Sequence, residues 1–450
     1  MNLPLHTTTD QPDGRLVWRI VLKRILSFGP DSTVLEMRSL LNVLIGPNAV
    51  GKSNLIEALS VMRAPPAPAF PSNSDLRGVI RCGGGVTEWI WKGEPQILAS
   101  INLVFFYLKR PPLRHVLSFG GDEQGFRLAD EKVENEVPSP GETEPYFYYR
   151  FQHGQPVGNT KAVLERRLAR ETINTDLSIL AQRRDPEQYP EIAHLIDAYK
   201  NIRIYRAWSF GRNGVFREPQ KTDMRNDRLE EDFSNLGLFL SRLCKNPGVK
   251  AAILDGLKDL YEGVMDFEIV VEGGTVQVFF IEGDFSVPAT RLSDGTLRYL
   301  CLLAILCDPE PPPLICIEEP ELGLHPDIRP KLANLLVQAS LRSQLIVTTH
   351  SDVIIDALTY HPEAVVVCEK HEGATVMKRL EKKELEVWLT KYSLGQLWTS
   401  VQLTGTRWRA RQFSLKVLRP GPIPTNNKYA AGRLSINCWQ SVDGRTECRD

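Results

Sequence analysis

The sequence lacks any run approaching about 18 uninterrupted apolar residues, the length a helix needs to cross a bilayer, so no membrane span is expected. Its polar opening, MNLPLHTTTDQPDG, has no apolar stretch of the kind a secretory signal carries. The eight cysteines include no CxxC pair, and Cys301, Cys307 and Cys316 lie within apolar runs, which argues for reduced core thiols and against a disulfide framework. Together these absences imply a cytoplasmic protein. Charge of one sign is not in excess either. The 54 Lys and Arg face 55 Asp and Glu for a net charge of −1, so nucleic acid or a membrane surface would have to be held by a local patch. No fixed-period repeat and no long heptad array occurs, which excludes a long coiled-coil arm.

What remains is an ordinary globular composition, 42% hydrophobic and 24% charged, on a chain of 450 residues. That length exceeds one compact core and predicts a large domain with insertions, or a core with smaller lobes. RLVWRIVLKRILSF and STVLEMRSLLNVLI read as strands, and SNLIEALSVM has the apolar spacing of a helix. The prolines of APPAPAFPSNSD break the pattern, and the glycines of RCGGGVTEWIWKG read as a turn. Between residues 97 and 150, ILASINLVFFYL, HVLSFG and YFYYRF predict an antiparallel subdomain. KAVLERRLAR, TDLSILAQRR and PEIAHLIDAYK, with a second block at 228–262, predict a helical lobe. FEIVVEGGTVQVFFI predicts a tight hairpin around its Gly-Gly pair. From DGTLRYLCLLAILC onward, helices alternate with the apolar strands PLICIEE, QLIVTTH and EAVVVCEK, the pattern of a parallel sheet covered on both faces.

The segment Gly46-Pro47-Asn48-Ala49-Val50-Gly51-Lys52-Ser53, followed by Asn54, fits GxxxxGK[ST] and lies between a predicted strand and a predicted helix, the context this pattern requires. Its four constrained positions would arise by chance in about one or two per cent of chains of this length. Glycines let backbone N–H groups curl around phosphates, Lys52 would neutralise the β and γ phosphates of ATP, and the Ser53 hydroxyl can ligate Mg²⁺. PLICIEEP delivers Glu318 and Glu319 at the carboxyl end of an apolar strand, where open α/β sheets bind ligands. In a phosphoryl-transfer site the first carboxylate would hold Mg²⁺ and the second would polarise water. An acidic pair there is also a common solvated strand end.

The order P-loop, LSDGT, acidic strand, TTHS resembles the ATP-binding-cassette ATPases of the RecF and SMC type, over about Leu16 to Trp408. In particular, EPELGLHP and TTHS are similar to the RecF-like ATPases that carry EPE-x-x-LHP and TTHS. The resemblance implies an α/β fold of the P-loop NTPase, ABC-ATPase type: a mixed sheet flanked by helices, with an antiparallel β subdomain and a helical lobe. On that basis the ATPase domain covers 16–408, with a core at 16–65 and 264–380 and an inserted β and helical portion at about 97–262. Residues 1–15 are expected to form a disordered leader. Residues 409–450, with eight Lys or Arg against three Asp or Glu, are expected to form a basic, disordered tail, with contact to nucleic acid as the sharper idea.

The same resemblance assigns Leu292 to Thr296 to the signature loop, with Ser293 and Gly295 binding nucleotide across a dimer. It assigns Glu318 and Glu319 to the Walker B pair, Glu321 to His325 to the D-loop, His350 to the switch histidine, and Gln182 to a Mg²⁺-contacting glutamine. Glu318 stands where Asp is usual, and Asp294 and Thr296 stand where Gly and Gln are usual. Plainer roles are available to several of these residues. Ser293 can cap a helix, His350 can be a polar residue beside a cap, Gln182 can lie on an exposed helix end, and His325 before Pro326 reads as a helix-start residue and not a metal ligand.

Related nucleases append a Toprim domain that needs an Asp-x-Asp pair. No such pair occurs, nor does G-x-S-x-G or H-E-x-x-H. The resemblance implies an ATPase acting as an ATP-sandwiched homodimer in DNA repair, chromosome maintenance or phage defence. Its partners would be ATP, Mg²⁺, DNA and an effector protein from a neighbouring gene, without a membrane. The alternatives are an ATP-gated clamp with little turnover and, further off, a transporter ATPase subunit.

Overall fold

Successive side chains of the central strands point alternately into two hydrophobic cores, and this alternation organises the fold in the computed structural model. The structure describes residues 15–400 except 68–74, 95–97, 123–124, 153–154, 160–165, 168–172, 175, 210, 212–213 and 215–217. The chain begins with β1 (Val17–Lys23), β2 (Thr33–Glu36) and β3 (Leu41–Ile45), and β3 leads into α1 (Lys52–Arg63). Two short helices, α2 (Leu76–Cys82) and α3 (Val86–Trp89), flank the glycine turn and precede β4 (Ala99–Phe105), β5 (Leu113–Asp122), β6 (Gly125–Asn135), β7 (Phe147–Gln152), β8 (Gln155–Gly158) and β9 (Arg166–Arg167). After α4 (Ile179–Gln182) and α5 (Pro190–Lys200) come β10 (Ile202–Tyr205), β11 (Gln220–Lys221), α6 (Leu236–Leu243) and α7 (Pro247–Leu260).

The hairpin expected around Gly273 and Gly274 forms between β12 (Asp266–Glu272) and β13 (Thr275–Glu282), with both glycines at positive φ, 58° and 78°. Then follow β14 (Phe285–Pro288), α8 (Asp294–Leu306), β15 (Leu314–Glu318), α9 (Arg329–Ser340), β16 (Gln344–Thr348), α10 (Asp352–Ala357), β17 (Val365–His371), β18 (Ala374–Arg379), α11 (Lys382–Leu389) and α12 (Leu394–Thr399). None of the described helices is long and apolar enough to cross a membrane.

Among the described residues the strands form three sheets. One is antiparallel, in the order β2-β1-β4-β5-β6-β7-β8-β9. The central sheet runs β10-β15-β16-β3-β17-β18, parallel except for β18. A small third sheet holds β11, β13, β12 and β14. In the central sheet Leu44, Cys316, Ile346 and Val366 face one core, shared with the antiparallel sheet, α1 and α5. Val43, Ile45, Ile315, Ile317, Leu345 and Val347 face the other, shared with α6 to α9. Helix α8 is buried continuously from Leu297 to Leu306, as its apolar sequence requires of a helix packed on all sides.

Several expectations are corrected. STVLEMRSLLNVLI is not one strand: β2 turns back on β1, and only Leu41–Ile45 joins the parallel sheet. The strands β1 and β2 belong to the antiparallel sheet, and β10, from within the segment 97–262, pairs with β15 in the central sheet. Arg15, placed in the leader, donates to Met37 O. Of KAVLERRLAR, expected helical, Arg166 and Arg167 pair in extended form with β8, because an available strand edge outweighs helix propensity; the rest lies outside the described residues. TDLSILAQRR yields one helical turn, ended where Arg183 turns extended. The expectations for residues 1–14 and for the tail at 409–450 also lie outside the described residues.

The antiparallel and parallel sheets are joined by one fully buried side chain, Gln344 at the start of β16. Its carbonyl accepts from Leu16 N–H and Val17 N–H at 3.1 and 3.0 Å, and its amide donates to Val17 O at 2.8 Å. Gln344→Ala strips these backbone groups of their partners, and we expect a loss of about 2–4 kcal/mol in denaturant unfolding. A loss below about 0.5 kcal/mol would show the bridge to be dispensable.

Candidate active site

Parallel strands bring their carboxyl ends to one edge of the sheet, and the segments leaving β3, β15 and β16 there carry the motif residues. After β3 the loop 46–51 folds so tightly that a Cβ on Gly46 would lie 2.4 Å from Cys368 O. Gly51 has φ +98°, and a Cβ there would meet Ser27 Oγ and Thr375 Oγ1 at 2.3 Å. Behind this glycine Thr375 Oγ1 donates to Val50 O at 2.8 Å, so the loop is braced from outside. Pro47 is half-buried and Val50 buried, which fixes the loop's base, while Asn48 and Ala49 are exposed and Ala49 adopts φ +63°. Ser53 is exposed and Asn54 half-buried on the first turn of α1, and that turn carries no acidic residue to repel an anion.

Lys52 is 5% exposed and folds back over the loop, donating from Nζ to Gly46 O at 2.9 Å and Pro47 O at 3.0 Å. Burial lowers its ammonium from the ordinary value, and Cys368, Glu319, Glu321 and Glu318 pull the other way. Burial pushes the Cys368 thiol itself up to about 12, so it is neutral at pH 7 and the opposing pull comes from the three carboxylates.

Glu319 leaves β15 with φ +44°, a left-handed backbone that is unusual for a residue with a Cβ. Its N–H donates to Thr348 O at 3.0 Å and to Thr348 Oγ1 at 3.2 Å. Its Oε1 lies 3.3 Å from His350 Nε2. Burial, then Lys52, lowers the His350 imidazole below 6.5, against Glu319 and Glu321, so the ring is neutral at pH 7. Buried Glu321 sets the backbone of that histidine, accepting from His350 N–H at 2.9 Å and from Thr349 Oγ1 at 2.6 Å. Its second oxygen, Oε2, is buried without a hydrogen-bond partner.

The signature-loop residues lie on the neighbouring helix. Ser293 caps α8, its Oγ accepting from Thr296 N–H at 3.1 Å, which is the plainer role weighed for it. A Cβ on Gly295 would stand 2.8 Å from Gly323 O, so α8 starts directly against the turn that follows Glu321. His325 is a helix-start residue, its Nδ1 accepting from Asp327 N–H. Gln182, which the resemblance assigns to Mg²⁺, has a carboxamide that accepts from Asn174 N–H and donates to Asn174 O, Leu177 O and Ser178 O.

Sequence reasoning missed four contributors. Thr348 and Thr349 lay in the quoted TTHS run, but their bonds to Glu319 and Glu321 cross between strands. Trp208 and Arg298 carried no signal. Trp208 Nε1 donates to Glu318 O at 2.8 Å, and Arg298 Nη2 donates to Glu319 O at 2.8 Å.

The donor set fits a nucleotide with a divalent cation. The loop offers backbone N–H groups and a buried ammonium, Ser53 and Glu318 are hard oxygen ligands at the same edge, and the cradle of Gly46 and Gly51 admits no Cβ. The chain belongs to the family described as "AAA domain, putative AbiEii toxin, Type IV TA system", which matches residues 41–356. Among solved structures it is similar to the Smc head bound to the C-winged-helix domain of ScpA, with 14% identity and a TM-score of 0.53, covering 82% of this chain and 99% of that one. It is also similar to the Smc head domain with an extended coiled coil bound to the C-terminal domain of ScpA, from Pyrococcus furiosus, with 13% identity, a TM-score of 0.50, and coverage of 84% and 99%. No curated protein sequence matches. The fold is thus that of an SMC-head, ABC-type P-loop ATPase domain.

The depressed imidazole makes a pH prediction. Because His350 titrates below 6.5 in the folded chain, the unfolded chain takes up this proton first as pH falls. Stability is therefore lost as pH drops through the unfolded value, until the folded ring is protonated too. Melting temperature followed from about pH 8 to about pH 5.5 should fall less steeply for His350→Gln than for the wild type. Coincident slopes would mean that the ring is not perturbed.

Proposed function

We propose that the chain is a Mg²⁺-dependent ATPase that closes head-to-tail with a second copy of itself around ATP. The observation that carries this reading is the meeting, at one sheet edge, of Lys52 in its glycine cradle with Glu318, Glu319 and neutral His350. The loop N–H groups and Lys52 bind the phosphate chain, and Lys52 exchanges its two carbonyl acceptors for phosphate oxygens. Ser53 and Glu318 would hold Mg²⁺, which would supply charge neutralisation on the phosphates. Glu319 orients and deprotonates the attacking water, and His350 steadies the γ-phosphate by hydrogen bonding. Ser293 and Gly295 of a second copy cover the nucleotide from the exposed start of α8.

The family description supports a setting in defence, with DNA or an effector protein from a neighbouring gene as the partner. Repair and chromosome maintenance are the other settings. The Smc heads to which the fold is similar bind ScpA in their crystals, which supports a protein partner here. A second reading, an ATP-gated clamp with little turnover, is favoured by Asp294, whose carboxylate stands in the first turn of α8 where a phosphate of the opposing copy would arrive.

Two substitutions test the proposal. Lys52→Ala should abolish ATP binding. Glu319→Gln should keep ATP, lose about 10²–10⁴-fold in turnover and accumulate an ATP-dependent dimer on size exclusion. Wild-type turnover in Glu319→Gln would remove Glu319 from the chemistry. Turnover measured with and without DNA separates the ATPase from the clamp.

A further inference from the structure

Glu319 keeps its left-handed backbone against the steric preference of any residue with a Cβ, so its two peptide bonds must be held. The N–H side is held from within the sheet, by Thr348 on the adjacent strand. The two carbonyls that flank its Cα, one in each peptide unit, are held by two side chains that come from elsewhere. Arg298 Nη2 donates to Glu319 O, and Trp208 Nε1 donates to Glu318 O, each at 2.8 Å. These two donors also stack on each other, the Arg298 guanidinium carbon lying 4.5 Å from the centre of the Trp208 ring. Trp208 in turn stacks on Phe233, with ring centroids 5.3 Å apart, so the indole is wedged in place.

The origins of the pair give it meaning. Trp208 lies just beyond the carboxyl end of β10, the strand beside β15. Arg298 lies on α8, the helix that Ser293 caps and that starts against Gly323. Arg298 is buried, and burial lowers its guanidinium to about 10, with Glu321 and then Glu319 opposing. A cation kept there against its desolvation, with Nε left unpartnered, is ill explained as a surface ion pair.

We propose that Trp208 and Arg298 are a positioning pair for hydrolysis: stacked together, they hold the Glu318–Glu319 backbone in the left-handed turn that sets the Glu319 carboxylate beside His350, and they tie that turn to α8. The inference rests on the reading of Glu319 as the residue that activates water. Neither side chain donates to the phosphate loop in this arrangement, so the pair acts on the chemical step and leaves ATP binding alone.

Two conservative variants test it. Trp208→Phe keeps a ring for the cation and removes the N–H, and Arg298→Lys keeps the charge and removes the planar fork. Arg298→Lys should lower kcat by about 10- to 100-fold, the worth of a hydrogen bond from a charged group, and Trp208→Phe, which removes a neutral one, by about 3- to 10-fold, while KM for ATP, ATP-dependent dimerisation and Tm stay at wild-type values. The double variant should be little worse than the poorer single one, since the two stacked donors hold the consecutive peptide units on either side of one Cα. A kcat within about twofold of wild type in both variants overturns the proposal, as does a parallel loss of ATP affinity and Tm, which marks a merely structural role. Should Arg298→Lys not fold, Trp208→Phe decides alone. Wild type and Glu319→Gln measured alongside keep the two levels apart. An inactive wild type, or Glu319→Gln at full rate, ends the underlying reading and this one together, whereas a slow Glu319→Gln beside an unaffected Trp208→Phe ends only this one.

Discussion

Parallel strand pairing is the constraint from which the rest follows. A strand that runs parallel to its neighbour must finish at the same edge of the sheet, and the chain must cross over before the next can begin. In this protein β10, β15, β16, β3 and β17 all end at one edge, and each is followed there by a segment free of the ladder. Residues as remote in sequence as Lys52, Trp208, Glu319 and His350 are gathered there by topology alone. Of the crossovers that separate them, the one from β10 to β15 returns to the edge through Arg298 of α8.

Gathering charge at a half-buried edge has an electrostatic price, and the structure distributes it. Lys52 is desolvated, yet three carboxylates lie near enough to favour its charged form, and two loop carbonyls accept its protons. Arg298 meets the same problem on the other side of Glu319, with Glu321 as its first counter-charge. Glu321 serves twice, once for the cations and once through Thr349 and the backbone of His350. The result is a set of groups held in place before any ligand arrives, which is the condition for electrostatic catalysis without reorganisation.

The parts legible in the sequence were those in which chemistry and local structure share a short segment. GPNAVGKS is both the loop and its lysine, PLICIEE is both the strand and its carboxylates, and LSDGT announces a helix cap by residue type. What escaped was set by pairing between distant segments. Nothing in IRIY marks it as a partner for β15, and nothing in RLVWRIVLK says it will pair in the antiparallel sheet and not the central one. Arg166 and Arg167 were pulled from a helical pattern by the open edge of β8. Gln182 sits in an exposed-looking context, and nothing in the sequence shows that its carboxamide bonds to Asn174, eight residues before it, and to Leu177 O. Arg298 sat in an apolar helix as an isolated cation, and the carbonyl of Glu319, the face of Trp208 and the charge of Glu321, all remote in sequence, give it a reason to be there.

The alternation of the central strands between two cores makes them behave as a ruler. Side chains may be exchanged at any graduation so long as size and polarity suit the core they enter, but the graduations cannot slide. Removing a single residue from LICIE would send Ile315 and Ile317 to the side now filled by Cys316, and would swing the acidic pair to the opposite face of the sheet. Length variation is therefore forbidden in these strands in a way that substitution is not. Among relatives of this chain, insertions and deletions should gather at tips such as Gly273–Gly274 and in the crossovers, while the spacing from each core strand to its motif stays fixed.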